Sequence, residues 1–84
     1  MAGKTIKHYL GMVVRSLREK RNLSQEKLAE LAKLHTTYVS LIERGKRSPT
    51  IETVDKLAKA LGTEGSKLIA AAEKLRAEEQ GRLK

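Results

Sequence analysis

The stretch LSQEKLAELAKLHTTYVSLIERG, residues 23–45, holds two short helical patterns with almost nothing between them. Ser24 is a good N-cap, because its hydroxyl can accept from a free N–H of the first turn, and a helix from Gln25 to about Lys33 follows it. The capping box is incomplete, since Lys27 stands where Glu or Gln would reach back. Leu28, Leu31 and Ala32 recur at helical spacing and form the buried stripe of this helix. A second pattern runs from Thr36 to Arg44, and Gly45 stands at the usual left-handed C′ position.

Two short helices joined this tightly must cross, which is the layout of a helix-turn-helix. Ala29 lies where the crossing is closest, and a larger side chain there would push the helices apart. Leu28, Ala32, Leu34, Val39 and Ile42 supply the shared apolar contacts. On a wheel turning about 100° per residue, Val39 and Ile42 face inward. Thr36, Thr37, Ser40 and Leu41 face the opposite way, with Tyr38 at the margin.

The flanking sequence reads as three more helices. Leu10, Val13, Val14 and Leu17 give a first helix over 6–20, broken by Arg21-Asn22-Leu23. Past the loop Lys46-Arg47-Ser48-Pro49, Thr50 caps a fourth helix over 51–61 with Ile51, Val54, Leu57, Ala58 and Leu61 as its stripe. Gly62 stops it, and a fifth helix over about 64–76 keeps Leu68, Ile69, Ala72 and Leu75 in register. Residues 1–5 are expected to be disordered, and 77–84 to fray once the apolar stripe is lost. The expectation is an all-α, compact five-helix fold in a single domain over 6–76.

Composition narrows the function. With no Cys, Trp or Phe and only two Tyr, the core should be aliphatic, and disulfides and thiolate metal sites are excluded. No apolar run approaches the roughly 18 residues of a membrane span. The N-terminus, broken by Lys7, His8 and Gly11, makes a poor signal peptide, so a cytoplasmic location is expected. The net charge of +8 is uneven: residues 1–50 hold eleven bases and four acids, and residues 51–84 hold seven and six. A basic half beside a near-neutral half suits a polyanion partner, the alternative being charge that serves solubility. No catalytic group, metal ligand or cofactor is expected: there is no Cys nucleophile and no Gly-rich phosphate loop, and His8 and His35 lie far apart. His35, at the turn, suits a cap or a phosphate neighbour better than a ligand.

The outward face of the third helix is shaped to enter a DNA major groove. Thr36 and Thr37 sit at its N-terminus, where recognition helices usually touch base edges. Their hydroxyls can donate or accept and their methyls, like Leu41, can pack on a thymine methyl; Ser40 shares the face. A solvated helix face with an exposed leucine is the alternative. Gln25, Tyr38, Arg44, Lys46 and Arg47 are placed for phosphate contacts, which set register and salt dependence. A plain surface charge is the alternative for any one of the bases. Glu43 would repel phosphate, so a structural pairing with an arginine of the first helix, best Arg18, is expected, in bidentate geometry.

LREKRNLSQEKLAELAKLHTTYVSLIERGKRSPTIETVDKLAKALG resembles the helix-turn-helix family of phage repressors and Cro proteins, the XRE type, over roughly residues 7–70. The resemblance rests on Arg18, Leu-Ser-Gln-Glu at 23–26, Leu-Ala at 28–29, Glu-Arg-Gly at 43–45, the Pro49 loop and Ala-Leu-Gly at 60–62. It implies a lambda-repressor-like fold, an Arg18–Glu43 pair, phosphate contact at Gln25 and base reading at Thr36 and Thr37, extending to Ser40 and Leu41. Within the family the chain is similar to the controller proteins of restriction–modification systems, small dimers that regulate their own operons. Thr36 stands where those controllers often carry arginine, which leaves the operator sequence open. Lys33 replaces a common turn glycine, at modest cost.

The resemblance implies a regulator of double-stranded DNA that occupies a (pseudo)palindromic operator as a homodimer, blocking RNA polymerase or recruiting it as a further partner. Leu68, Ile69, Ala72 and Leu75 on the fifth helix are the expected dimer interface, although Leu68 and Ile69 serve equally to close the monomer core. A rival from another class is a protein-binding adaptor or antitoxin on the same fold, for which Leu41 and the C-terminal stripe would serve.

Overall fold

The computed structural model describes residues 4–82. These form five helices and no strand: α1 Ile6–Lys20, α2 Gln25–Ala32, α3 Thr36–Glu43, α4 Ile51–Ala60 and α5 Gly65–Arg82. Two helix starts are fixed by side-chain caps. Ser24 Oγ accepts from the Lys27 N–H at 2.9 Å, and Thr50 Oγ1 accepts from the Thr53 N–H at 3.1 Å. Both occupy one of the orphan donors of a first turn.

The ends are set by backbone conformation. Lys33 takes the left-handed region (φ 58, ψ 47), so α2 closes one residue before the expected end, and the Leu34 N–H returns to the Ala29 carbonyl at 2.8 Å. Arg44 and Leu61 likewise lie just outside α3 and α4, before Gly45 and Gly62 turn to positive φ.

α1 packs against α3 and α5, α2 against α3 and α4, and α4 against α5. Val14, Leu28, Val39, Ile42, Leu57, Leu68 and Ala72 meet in the centre and are fully buried. Gly11, in the middle of α1, is buried where α1 crosses α3: a Cβ there would run into the Ile42 carbonyl oxygen. That contact offsets the roughly 0.5–1 kcal/mol by which a mid-helix glycine is disfavoured relative to alanine.

Three expectations are corrected. The core is not purely aliphatic, because Tyr9 is buried to 1% exposure. Leu31 does not join the α2 stripe; it is 48% exposed, on the flank of a helix too short to wrap the core. α5 does not stop at 76 but continues through Arg82, with residues 83–84 outside the described range. Ala77, Glu78, Glu79 and Gln80 are good helix formers without an apolar stripe, and the Tyr9 hydroxyl donates to Glu79 Oε1 at 3.1 Å. Of the N-terminal segment expected to be disordered, residues 1–3 lie outside the described range, and Thr5 has extended backbone as the N-cap of α1.

Candidate nucleic-acid interface

α3 is held from behind by a polar brace. Arg18 Nε donates to Glu43 Oε2 at 2.7 Å and Arg18 Nη2 to Glu43 Oε1 at 3.0 Å, a bidentate pair across the α1–α3 crossing. Arg18 Nη1 also donates to the Leu23 carbonyl at 2.8 Å, tying the α1–α2 loop to the same point. The hydrogen bond to Glu43 raises the Arg18 pKa further above its ordinary value, against the opposing effect of burial, so the guanidinium stays charged. Glu43 is 7% exposed and turned away from solvent. The only acid of α3 is thereby withdrawn from the outer face.

The brace has a third member that the sequence did not reveal. Gln25 Nε2 donates to Glu43 Oε1 at 3.0 Å, so Glu43 latches α3 to α2 as well as to α1. The Gln25 side chain, expected at phosphate, is thus engaged through one amide hydrogen with Glu43. What remains available is the second amide hydrogen and the orphan backbone N–H groups that open α2.

On the opposite side of α3, Thr36 and Thr37 are exposed, while Ser40 and Leu41 are half-buried farther along the helix. Val39 and Ile42 are fully buried, so the helix wheel sorts this element as expected. Arg44, Lys46 and Arg47 are exposed beyond its C-terminus, and none forms an ion pair among the described residues. Arg44 Nε leans on the Ser40 carbonyl at 3.4 Å. Tyr38 is half-buried: the Arg47 guanidinium lies 5.5 Å from its ring centroid, and its hydroxyl is directed at Thr53 Oγ1, 3.5 Å away, rather than into open solvent. The helix therefore presents hydroxyls at one end and unpaired cations at the other.

The four expected interface residues of α5 do not share one face. Leu68 and Ala72 are fully buried inside the single chain, against α1 and α4, and have no surface left for a partner. Ile69 and Leu75 are half-buried on opposite flanks of that strip. Ile69 lines a shallow hollow with Ile51, Val54 and Gly65, whereas Leu75 lines another with Met12, Val13 and Leu17 of α1. Ile51, 81% exposed at the start of α4, is the most exposed large apolar side chain among the described residues. Sequence periodicity had assigned it to the core stripe; its place in the first turn puts it beyond the edge of the packed layer.

No helix among the described residues is long and apolar enough to cross a membrane, and no cluster of His, Cys, Asp or Glu there could hold a metal ion. A short helix latched across a second one, with its hydroxyl-bearing face open and its acid turned inward, defines a helix-turn-helix unit.

Comparison with known proteins agrees. The helix-turn-helix family pattern matches residues 14–68. Control protein C.SmaI of Serratia marcescens is 50% identical over 64 residues, covering 76% of each chain. Control protein C.BamHI of Bacillus amyloliquefaciens is 45% identical over 65 residues, covering 76% of this chain and 80% of the relative. Among solved structures, the restriction-modification controller protein C.AhdI from Aeromonas hydrophila superposes with a TM-score of 0.72 at 40% identity, over 74% of this chain and 94% of its own. The chain belongs to the XRE-type helix-turn-helix family of DNA-binding transcriptional regulators.

Proposed function

We propose that the protein is a sequence-specific regulator that binds a (pseudo)palindromic operator in double-stranded DNA as a homodimer, with α3 in the major groove. Thr36 and Thr37 meet base edges first, and Ser40 and Leu41 extend the contact along the helix. Gln25, Arg44, Lys46 and Arg47 hold the phosphates on either side, with Tyr38 beside them. The observation that carries this reading is the polarity of α3: exposed hydroxyls at its N-terminus, unpaired cations past its C-terminus, and Glu43 turned away into the brace. Similarity to C.SmaI, C.BamHI and C.AhdI supports a role as a restriction–modification controller.

The second copy docks on the flank formed by Ile51 and Ile69. Exposed isoleucine at the first turn of α4, beside a half-buried one on α5, is apolar surface that a symmetric partner would cover. Two recognition helices would then lie about one DNA turn, roughly 34 Å, apart.

Footprinting on the DNA upstream of the protein's own gene tests the reading. A protected site with two related halves is expected. Thr37→Ala should weaken binding there by roughly fivefold, the worth of one lost hydrogen bond, and leave binding to random duplex unchanged. An equal loss on random DNA would remove Thr37 from the base-reading set. No duplex binding at all would favour an adaptor on the same fold.

A further inference from the structure

Of the three cations that follow α3, Arg47 alone has an aromatic ring to lie on. Its guanidinium carbon is 5.5 Å from the Tyr38 ring centroid, within the range in which a cation is attracted to the ring face. Arg44 instead leans on a carbonyl of its own helix, and Lys46 makes no hydrogen bond or ion pair from its side chain among the described residues. The ring under Arg47 is itself fixed. Its hydroxyl reaches toward Thr53 Oγ1 at 3.5 Å, and Thr53, 7% exposed, is held in turn by the N-cap Thr50, whose Oγ1 donates to Thr53 Oγ1 at 3.0 Å. The first turn of α4 thus braces the ring, and the ring faces the arginine.

We propose that Tyr38 is a positioning residue for Arg47: its ring holds the guanidinium beside the recognition helix, aimed for one phosphate contact, and its hydroxyl is spent on α4 rather than on DNA. The proposal rests on the DNA-binding reading above. A free arginine side chain loses rotamer entropy when fixed, so an arginine already stacked gives up less on binding. Direct donation from Tyr38 to phosphate would make the opposite demand, because the hydroxyl would then be the active group.

The two are separated by binding to one duplex across a salt series, with thermal melts to establish that each variant is folded. Arg47→Ala should flatten the slope of log K against log salt by about one. Tyr38→Phe keeps the ring and should retain the wild-type slope. Tyr38→Leu removes the ring face; it should weaken binding about two- to fivefold, the range for an exposed cation–π contact, and flatten the slope toward that of Arg47→Ala. The double variant should bind no worse than Arg47→Ala alone. Should Tyr38→Leu fail to fold, Arg47→Lys keeps the charge but stacks poorly, and is expected to lose most of the affinity that alanine loses. Positioning is overturned if Tyr38→Phe binds as weakly as Tyr38→Leu, if the losses of Tyr38→Leu and Arg47→Ala multiply in the double variant, or if Arg47→Lys matches wild type. A wild-type protein without salt-dependent duplex binding would instead sink the DNA-binding reading itself.

Discussion

α3 and α5 both carry apolar residues at helical spacing, yet tertiary packing treats them differently. α3 rests on α1 and α2 along one side, so its wheel divides cleanly into Val39 and Ile42 within and Thr36 and Thr37 without. α5 lies across both α1 and α4, and the strip it buries is narrow: Leu68 and Ala72 fill it, while Ile69 and Leu75 fall on its two flanks, about 120° apart at 100° per residue. A stripe read from spacing shows which residues prefer burial. It does not show how the neighbours of the helix are arranged. Where they lie together along one side, as α1 and α2 do for α3, periodicity assigns roles well; where the helix lies across separate elements, as α5 does, it merges surfaces that are separate.

The largest effect in this contrast should come from the brace behind α3. Glu43→Ala leaves Arg18, whose side chain is 12% exposed, charged and without its partner, and should destabilise the fold by about 3–5 kcal/mol. Chemical denaturation that finds less than about 1 kcal/mol would mean the pair is a surface ornament. On the flank shared by α4 and α5, Ile51→Asp or Ile69→Asp should shift sedimentation from dimer to monomer, whereas Leu75→Asp, on the other flank of α5, should leave the dimer intact. The reverse pattern would move the interface to the α1–α5 side.

Two smaller effects sharpen the comparison. Lys33 holds a left-handed conformation at the turn that aims α3, so Lys33→Gly should raise stability by about 1 kcal/mol, read as a higher melting temperature. An unchanged or lower value would show that the unfolded-chain entropy of glycine outweighs the relief. Burial, followed by the hydrogen bond to Glu79, raises the Tyr9 pKa above 10.0. A group whose folded-state pKa is raised contributes stability that is present below the unfolded value and lost as pH climbs through the folded one. Stability should therefore fall as pH rises past about 10, and Tyr9→Phe should fall less over that window. An equal loss in both proteins would leave Tyr9 out of the alkaline transition.

Much of the fold was legible from punctuation. Ser24 and Thr50 are caps because a first turn needs acceptors, and Gly45 and Gly62 end helices because they tolerate positive φ. These are local requirements that a short window records. The Arg18–Glu43 pair could also be named from the line of residues, since a lone acid on a cationic face needs an internal partner. The third member of the brace and a second tie elsewhere could not. Gln25 reaches Glu43 across 18 positions and, apart from the brace, Tyr9 reaches Glu79 across 70, and no periodicity links them. Gly11, which reads as a break in an apolar run, is a contact point only because α3 crosses there.

The line of residues alone yielded five helices, the Ser24 and Thr50 caps, the inward and outward sides of α3, and a charge distribution suited to a polyanion, because each follows from nearest neighbours or from totals. Tertiary structure alone decided that α5 runs on to Arg82, that Ile51 stands outside the core, and that Tyr38 lies between Arg47 and Thr53. The physical reason is common to all three. Each depends on which element arrives beside which, and that is settled by how the apolar faces share a small core rather than by any residue's own preference.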